Sequence, residues 1–188
     1  MNNKILRIHE FLPYSRVNGP GVRAVLWLQG CSLGCPECFN PQTHPFEQGQ
    51  LRLVDDLFQS LMTLKGGIEG LTVSGGEPLQ QAPPLLALLQ RLRQETFLSV
   101  LLFTGFTWAE IQRMPQAAAL LACIDVLIAG RYDAAQHLAR DLRGSANKTT
   151  HFLSDRYTQA DLHAIPSTEV IITAQGEVMV SGIDPLKW

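Results

Sequence analysis

Long apolar runs are missing from this chain of 188 residues: no stretch reaches the roughly 18 residues that a membrane-spanning helix needs. The opening residues, MNNKILRIHEFLPYSRVNGPG, lack the apolar core and small-residue cleavage site of a secretory signal. An excess of one charge is missing too, 15 basic residues standing against 17 acidic ones for a net charge of −2. That balance argues against nucleic acid or an anionic membrane as the main partner. Neither an internal repeat nor a low-complexity tract interrupts the chain. Cysteine is scarce, with four in all and three of them crowded together, so a disulfide framework is a poor reading and a reducing cytoplasm a good one.

Hydrophobic residues make up 46% of the chain and charged residues 17%, enough for one substantial core; a chain of this length buries about 70% of the surface its unfolded form exposes. Short β-rich runs alternate with helical patterns, the mark of βα units around a mainly parallel sheet. Strands are expected at 5–11, 23–29, 71–75, 98–105 and 124–130. Helices are expected at 54–64 and 83–95, where apolar residues recur every three or four positions, and after the capping box TWAE at 107–110. Sparse charge within the strands suits a sheet covered by helices. Residues 168–182, TEVIITAQGEVMVSG, alternate apolar and polar about AQG and predict an antiparallel hairpin appended to the edge. The segment 131–151 is the least regular polar stretch and a candidate binding loop.

Chemistry concentrates at CSLGCPECFN, residues 31–40. Cys31, Cys35 and Cys38 stand in a C-x3-C-x2-C spacing just after the strand at 23–29. Three thiolates on one tight loop, with Gly34 and Pro36 to turn it, suit an iron-sulfur cluster, although such clusters usually take four. A structural zinc site would also accept them and would want a fourth ligand, for which His44 and His9 are available. Three buried cysteines without metal are the third reading. Cys123 lies in an apolar helix-to-strand junction and reads as core. If no histidine serves, a four-iron cluster on these cysteines keeps one iron without a protein ligand.

A second motif, TVSGGEPLQQ at 72–81, ends a strand in Gly75, Gly76, Glu77 and Pro78. The glycines allow close backbone approach, and Glu77 offers an acceptor for an ammonium. Together the two motifs resemble the radical S-adenosylmethionine superfamily. The finer resemblance is to the small glycyl-radical activases, especially those of anaerobic ribonucleotide reductase. It is carried by NGPGVRAVLWLQGCSLGCPECFNPQTH (18–44), LFTGFTWAEI (102–111), IDVLIAGRY (124–132) and RGSANK (143–148). Departures are Glu37 before the last cysteine with the aromatic following as Phe39, His44 where Trp is frequent, and Ala146 and Lys148 within the RGSANK segment.

The resemblance implies an incomplete TIM-like (β/α) barrel with a mainly parallel sheet, one domain over 1–188 whose motif-bearing core spans 5–150. It implies that Cys31, Cys35 and Cys38 hold a 4Fe-4S cluster whose open iron is chelated by S-adenosylmethionine. That cofactor would be cleaved reductively to methionine and a 5′-deoxyadenosyl radical. Ser74, Gly75, Gly76 and Glu77 would hold the methionyl end, the backbone about Glu37 and Cys38 with the Phe39 ring the adenine, and Thr104 and Gly105 would line the pocket. Arg143, Ser145 and Asn147 would reach the carboxylate or ribose, since Arg forks match carboxylates. Beyond cluster and cofactor no catalytic side chain is expected. A chain shorter than the ~250 residues of a full barrel favours a large substrate, a glycyl-radical enzyme, with an electron donor such as flavodoxin or ferredoxin. Two other readings stay open: radical chemistry on a small molecule or peptide, and a zinc or iron-sulfur module without catalysis.

Overall fold

The computed structural model describes residues 4–172 and 175–183. A seven-stranded sheet runs in the order β3-β1-β2-β4-β5-β6-β9, with β1 (Ile5–Ser15), β2 (Arg23–Leu28), β3 (Gln50–Leu53), β4 (Gly70–Gly75), β5 (Ser99–Thr104), β6 (Val126–Ala129) and β9 (Thr149–Phe152). The four central strands β2, β4, β5 and β6 are parallel. Antiparallel partners close both sides, β1 on β2, β3 on β1 and β9 on β6. All five expected strands are present. The first differs in that it runs on to Ser15 and is antiparallel to its neighbour, because only a loop of seven residues (16–22) joins it to β2, too short for a crossover.

Why one face carries helices and the other does not follows from side-chain parity. Val100, Leu102, Leu127 and Ala129 point into the larger core with Leu57 and Phe58 of α1 (Val54–Leu64) and Leu85, Leu88 and Leu89 of α2 (Ala82–Glu95). Their alternate neighbours Leu101, Val126 and Ile128 belong to a smaller cluster with Leu142 and Leu162, as the two-residue period of a strand requires. Long helices therefore cover one face only. The short helices α3 (Trp108–Gln112) and α4 (Ala117–Leu121) join the larger core through Ile111 and Leu120.

The second face is crossed by polar residues. Arg23, Thr72 and Ser99 lie on it, all buried, and nearer the strand ends so do Trp27, Ser74 and Phe103, in the same parity. Gly19 and Pro20 fold over the Arg23 side chain, whose guanidinium donates to Pro20 O. A Cβ on Gly19, at φ 145°, would lie 2.5 Å from the Arg23 Cδ.

The segment expected to be irregular is partly ordered. It forms a ribbon of β7 (His137–Arg140) and β8 (Arg143–Ser145), turned tightly enough that Ala139, Asp141 and Leu142 all take positive φ. Helix α5 (Gln159–His163) follows. The C-terminal hairpin is present as β10 (Thr168–Ile172) and β11 (Val178–Gly182), an antiparallel pair separate from the main sheet. Part of its turn, Thr173 and Ala174, lies outside the described residues. Among those described, no helix is long and apolar enough to cross a membrane.

Candidate functional site

The cysteine loop leaves the end of β2 and is closed at its base by its own return. Gly30 N–H donates to Thr43 O at 2.7 Å and Cys31 N–H to His44 O at 3.0 Å, while Gln29 Nε2 donates to the Gln42 and Pro45 carbonyls. A single 3-10 turn, Pro41–Thr43, begins on proline, whose fixed φ starts it. All three cysteines are free and half-buried. Among the described residues no three His, Cys, Asp or Glu side chains converge closely enough to hold a single metal ion.

The Gly-Gly-Glu turn at the end of β4 is packed against that loop's stem. Gly76 N–H donates to Leu28 O at 2.8 Å and Glu77 N–H to Gly30 O at 2.9 Å. A Cβ on Gly76 would run into the Gly30 carbonyl oxygen, and Gly75 stands at φ 108°. Both glycines are therefore demanded by backbone-to-backbone packing between two parallel strand ends. Gln80 adds a side-chain tie, accepting from Ser32 N–H at 3.1 Å and donating to its hydroxyl.

Glu77 has no exposed surface, yet both of its carboxylate oxygens are hydrogen-bonded. Oε1 accepts from Leu79 N–H at 2.9 Å and from Thr104 Oγ1 at 2.7 Å, and Oε2 from Gly105 N–H at 2.7 Å. The side chain thus brackets the exit of β5 to the exit of β4. Burial pushes its acidity weaker than usual, against the three hydrogen bonds and the Lys148 charge. Cys31 is raised likewise, first by burial and then by repulsion from Glu77, Cys38 and Cys35, with the Leu33 N–H acting against.

These pieces meet around a cavity of about 390 Å³ on the helix-poor face. Of the sequence-predicted residues, Cys31, Cys35, Cys38, Phe39, Ser74, Gly75, Gly76, Glu77, Thr104 and Gly105 line it. His9 and His44 line it as well, with His9 Nδ1 held at 2.9 Å from Gln29 Oε1. Phe39 packs on Gly144, where a Cβ would strike its ring, and on Tyr132 at 4.6 Å between ring centroids. Cys123 is in the core, donating to Ala119 O.

Glu37, Arg143, Ser145 and Asn147 are not among the lining residues. Glu37 is not in the lining; it takes the left-handed conformation, φ 55°, that turns the loop toward Cys38. Arg143 lies outside the lining with its guanidinium 4.0 Å from Asp141. Asn147 donates to Arg131 O at 2.9 Å, and the buried Ser145 accepts from Asp133 N–H. Where a cation does face the cavity it is Lys148, whose Nζ donates to Gly130 O. Burial lowers its pKa, while the charges of Cys35, Glu77 and Cys38 push it back up. Among the described residues it has no carboxylate within ion-pair distance, whereas the nearby Arg131 is spent on Glu110 at 2.8 Å. Sequence reading missed Lys148 although it stands within a segment singled out; only the turn of the chain into β9 shows which of its side chains faces inward.

The 4Fe-4S single cluster domain family matches residues 17–151. The anaerobic ribonucleoside-triphosphate reductase-activating protein of Vibrio cholerae is 34% identical over 153 residues, 78% of this chain and 97% of that protein. Its namesake in Escherichia coli is 31% identical over 161 residues, 79% of this chain and 99% of that one. A putative glycyl-radical enzyme activating enzyme of Haemophilus influenzae is 38% identical over 101 residues, 53% of this chain and 38% of that protein. Among solved structures, QueE from Escherichia coli superposes with a TM-score of 0.46 at 20% identity, over 55% of this chain and 53% of that one, too partial an overlap to place any residue.

Proposed function

Since this chain belongs to the 4Fe-4S single cluster domain family, we propose that it is a radical S-adenosylmethionine activase that generates a glycyl radical on a partner enzyme such as an anaerobic ribonucleotide reductase. The observation that carries the reading is convergence: the cysteine loop, the Gly-Gly-Glu turn and the exit of β5 border one cavity. Three soft donors on one loop fit an iron-sulfur cluster. Lys148, which lines the cavity and among the described residues has no carboxylate partner, fits a cofactor that carries a carboxylate.

When bound, the cluster supplies one electron and S-adenosylmethionine the sulfonium that this electron cleaves, to a carbon radical able to take hydrogen from a substrate. The chain's own work is positional. Cys31, Cys35 and Cys38 would ligate iron from a loop whose base is closed by the hydrogen bonds to Thr43 and His44. Ser74, Gly75 and Gly76 would border the methionyl end, and Lys148 would hold its carboxylate by a charge-assisted hydrogen bond. Phe39, braced by Tyr132, would offer its ring to the adenine. Glu77 acts through others: by fixing Thr104, Gly105 and the Leu79 amide it keeps two strand ends in one register.

An incomplete barrel would leave a side open to a protein loop, and an electron donor of the flavodoxin or ferredoxin kind would reduce the cluster. The test is anaerobic reconstitution with iron and sulfide, dithionite reduction, and EPR with and without S-adenosylmethionine, together with a 5′-deoxyadenosine assay. The expected result is a cofactor-dependent change of the cluster signal and release of deoxyadenosine. A protein that takes up zinc, stays colourless and neither binds nor cleaves the cofactor would sink the reading.

A further inference from the structure

The cavity wall contains five consecutive residues, Met179 through Ile183, and none from β10. Successive side chains in a strand point to opposite faces, so an unbroken run means that the edge of β11, not a face of the hairpin, borders the cavity. Ile183 N–H donates to Ser167 O at 3.0 Å, and the register runs without a break from Thr168↔Gly182 to Ile172↔Val178. Because antiparallel residues alternate between bonding across the pair and pointing away from it, the backbone N–H and C=O groups of Val178, Val180 and Gly182 turn outward. Among the described residues no strand pairs with that edge.

The edge is held firmly in place. Glu169 accepts from Ser15 Oγ at 2.5 Å and from Arg16 N–H at 3.0 Å, and Asn18 Nδ2 donates to Ser181 Oγ at 2.8 Å. One hairpin face, formed by Val170, Ile172 and Val178 beside Val180, is apolar and largely exposed. The hairpin also lies outside the family match, which ends at residue 151. It is set against a cavity whose other walls come mainly from within that match.

We propose that the free edge of β11 receives an extended segment of the partner protein as an added strand, and that this pairing presents the segment's glycine to the cavity. The proposal rests on the activase reading. Main-chain hydrogen bonds to Val178, Val180 and Gly182 would supply affinity, and the apolar hairpin face would select alternate apolar side chains flanking the glycine. An unpaired edge is a template for such addition.

The test uses the full chain, reconstituted anaerobically, and a fluorescein-labelled peptide that alternates Thr and Val about a central Gly, with Lys at both ends. Anisotropy should show binding to the wild type. Val180→Pro, which removes one outward N–H, should weaken it about tenfold, whereas Val180→Thr, which keeps the N–H and the branched side chain, should not. A peptide N-methylated at alternate residues should weaken binding to the wild type similarly, and that series decides the matter if the proline variant fails to fold. No binding of the parent peptide, or undiminished binding of both the proline variant and the N-methylated peptide, overturns the proposal. Deoxyadenosine formation without peptide reports on the activase reading alone. If it persists while pairing fails, only the docking proposal falls; pairing without it leaves the strand edge standing and overturns its role in presenting glycine.

Discussion

At the scale of single residues, Glu77 and Lys148 show how charge is distributed around the cavity. A carboxylate with three short donors is a structural bracket, because both of its oxygens are hydrogen-bonded within the protein before any ligand arrives. Lys148 is the reverse case: a mostly buried ammonium with one carbonyl acceptor and two further N–H groups. Such a group is costly to bury unless an anion completes it. Lys148→Met is therefore expected to weaken S-adenosylmethionine binding by about tenfold, with Lys148→Arg recovering part of it. Equilibrium dialysis of the reconstituted protein checks this, and unchanged affinity in the methionine variant would remove Lys148 from the carboxylate site.

At the scale of elements, the entrance to α3 links the β5 exit to the candidate binding segment. Thr107 and Glu110 form a reciprocal capping box, and the same Glu110 carboxylate takes Arg131. The guanidinium first, then the Thr107 amide and hydroxyl, draw the Glu110 carboxyl from its ordinary 4.5 down to about 2. A carboxyl depressed on folding contributes stability that is present above its unfolded value and lost as pH falls through its folded one. Denaturation midpoints measured across acid pH should thus decline between about 4.5 and about 2 in the wild type and decline less in Glu110→Gln. Because both partners are substantially exposed, the difference should shrink in high salt. Parallel pH curves for the two proteins would show that the box carries no linked proton.

For the whole molecule the decisive residue is Arg23, completely buried on the helix-poor face. Its guanidinium donates to Thr72 Oγ1 and Ser99 Oγ at 2.8 Å each, to Leu71 O at 2.9 Å, and more weakly to Tyr157 OH. Burial lowers its pKa, with Tyr157 the chief opposing influence. One side chain therefore joins β2, β4, β5 and the segment before α5. Arg23→Met keeps the apolar stem but orphans several buried acceptors and hydroxyls. It should cost about 2–4 kcal/mol, read as a lower urea midpoint with unchanged slope. A midpoint within error of the wild type would mean that water replaces the guanidinium.

Much of this was written in local pattern. Strand positions, α1 and α2, the capping box at Thr107 and the hairpin strands follow from periodicities and turn residues that act within a few positions along the chain. The three cysteines and the Gly-Gly-Glu turn were legible for the same reason, since a tight loop and a strand exit are short-range features. The helix-poor face, the bracketing use of Glu77, the inward turn of Lys148 in place of Arg143 and Asn147, and the edge of β11 at the cavity were not. Each depends on contacts between residues far apart in the chain: Glu77 with Thr104, Lys148 with Gly130, Asn18 with Ser181. Local pattern decides which residues are available, and only packing across the sheet decides which of them meet.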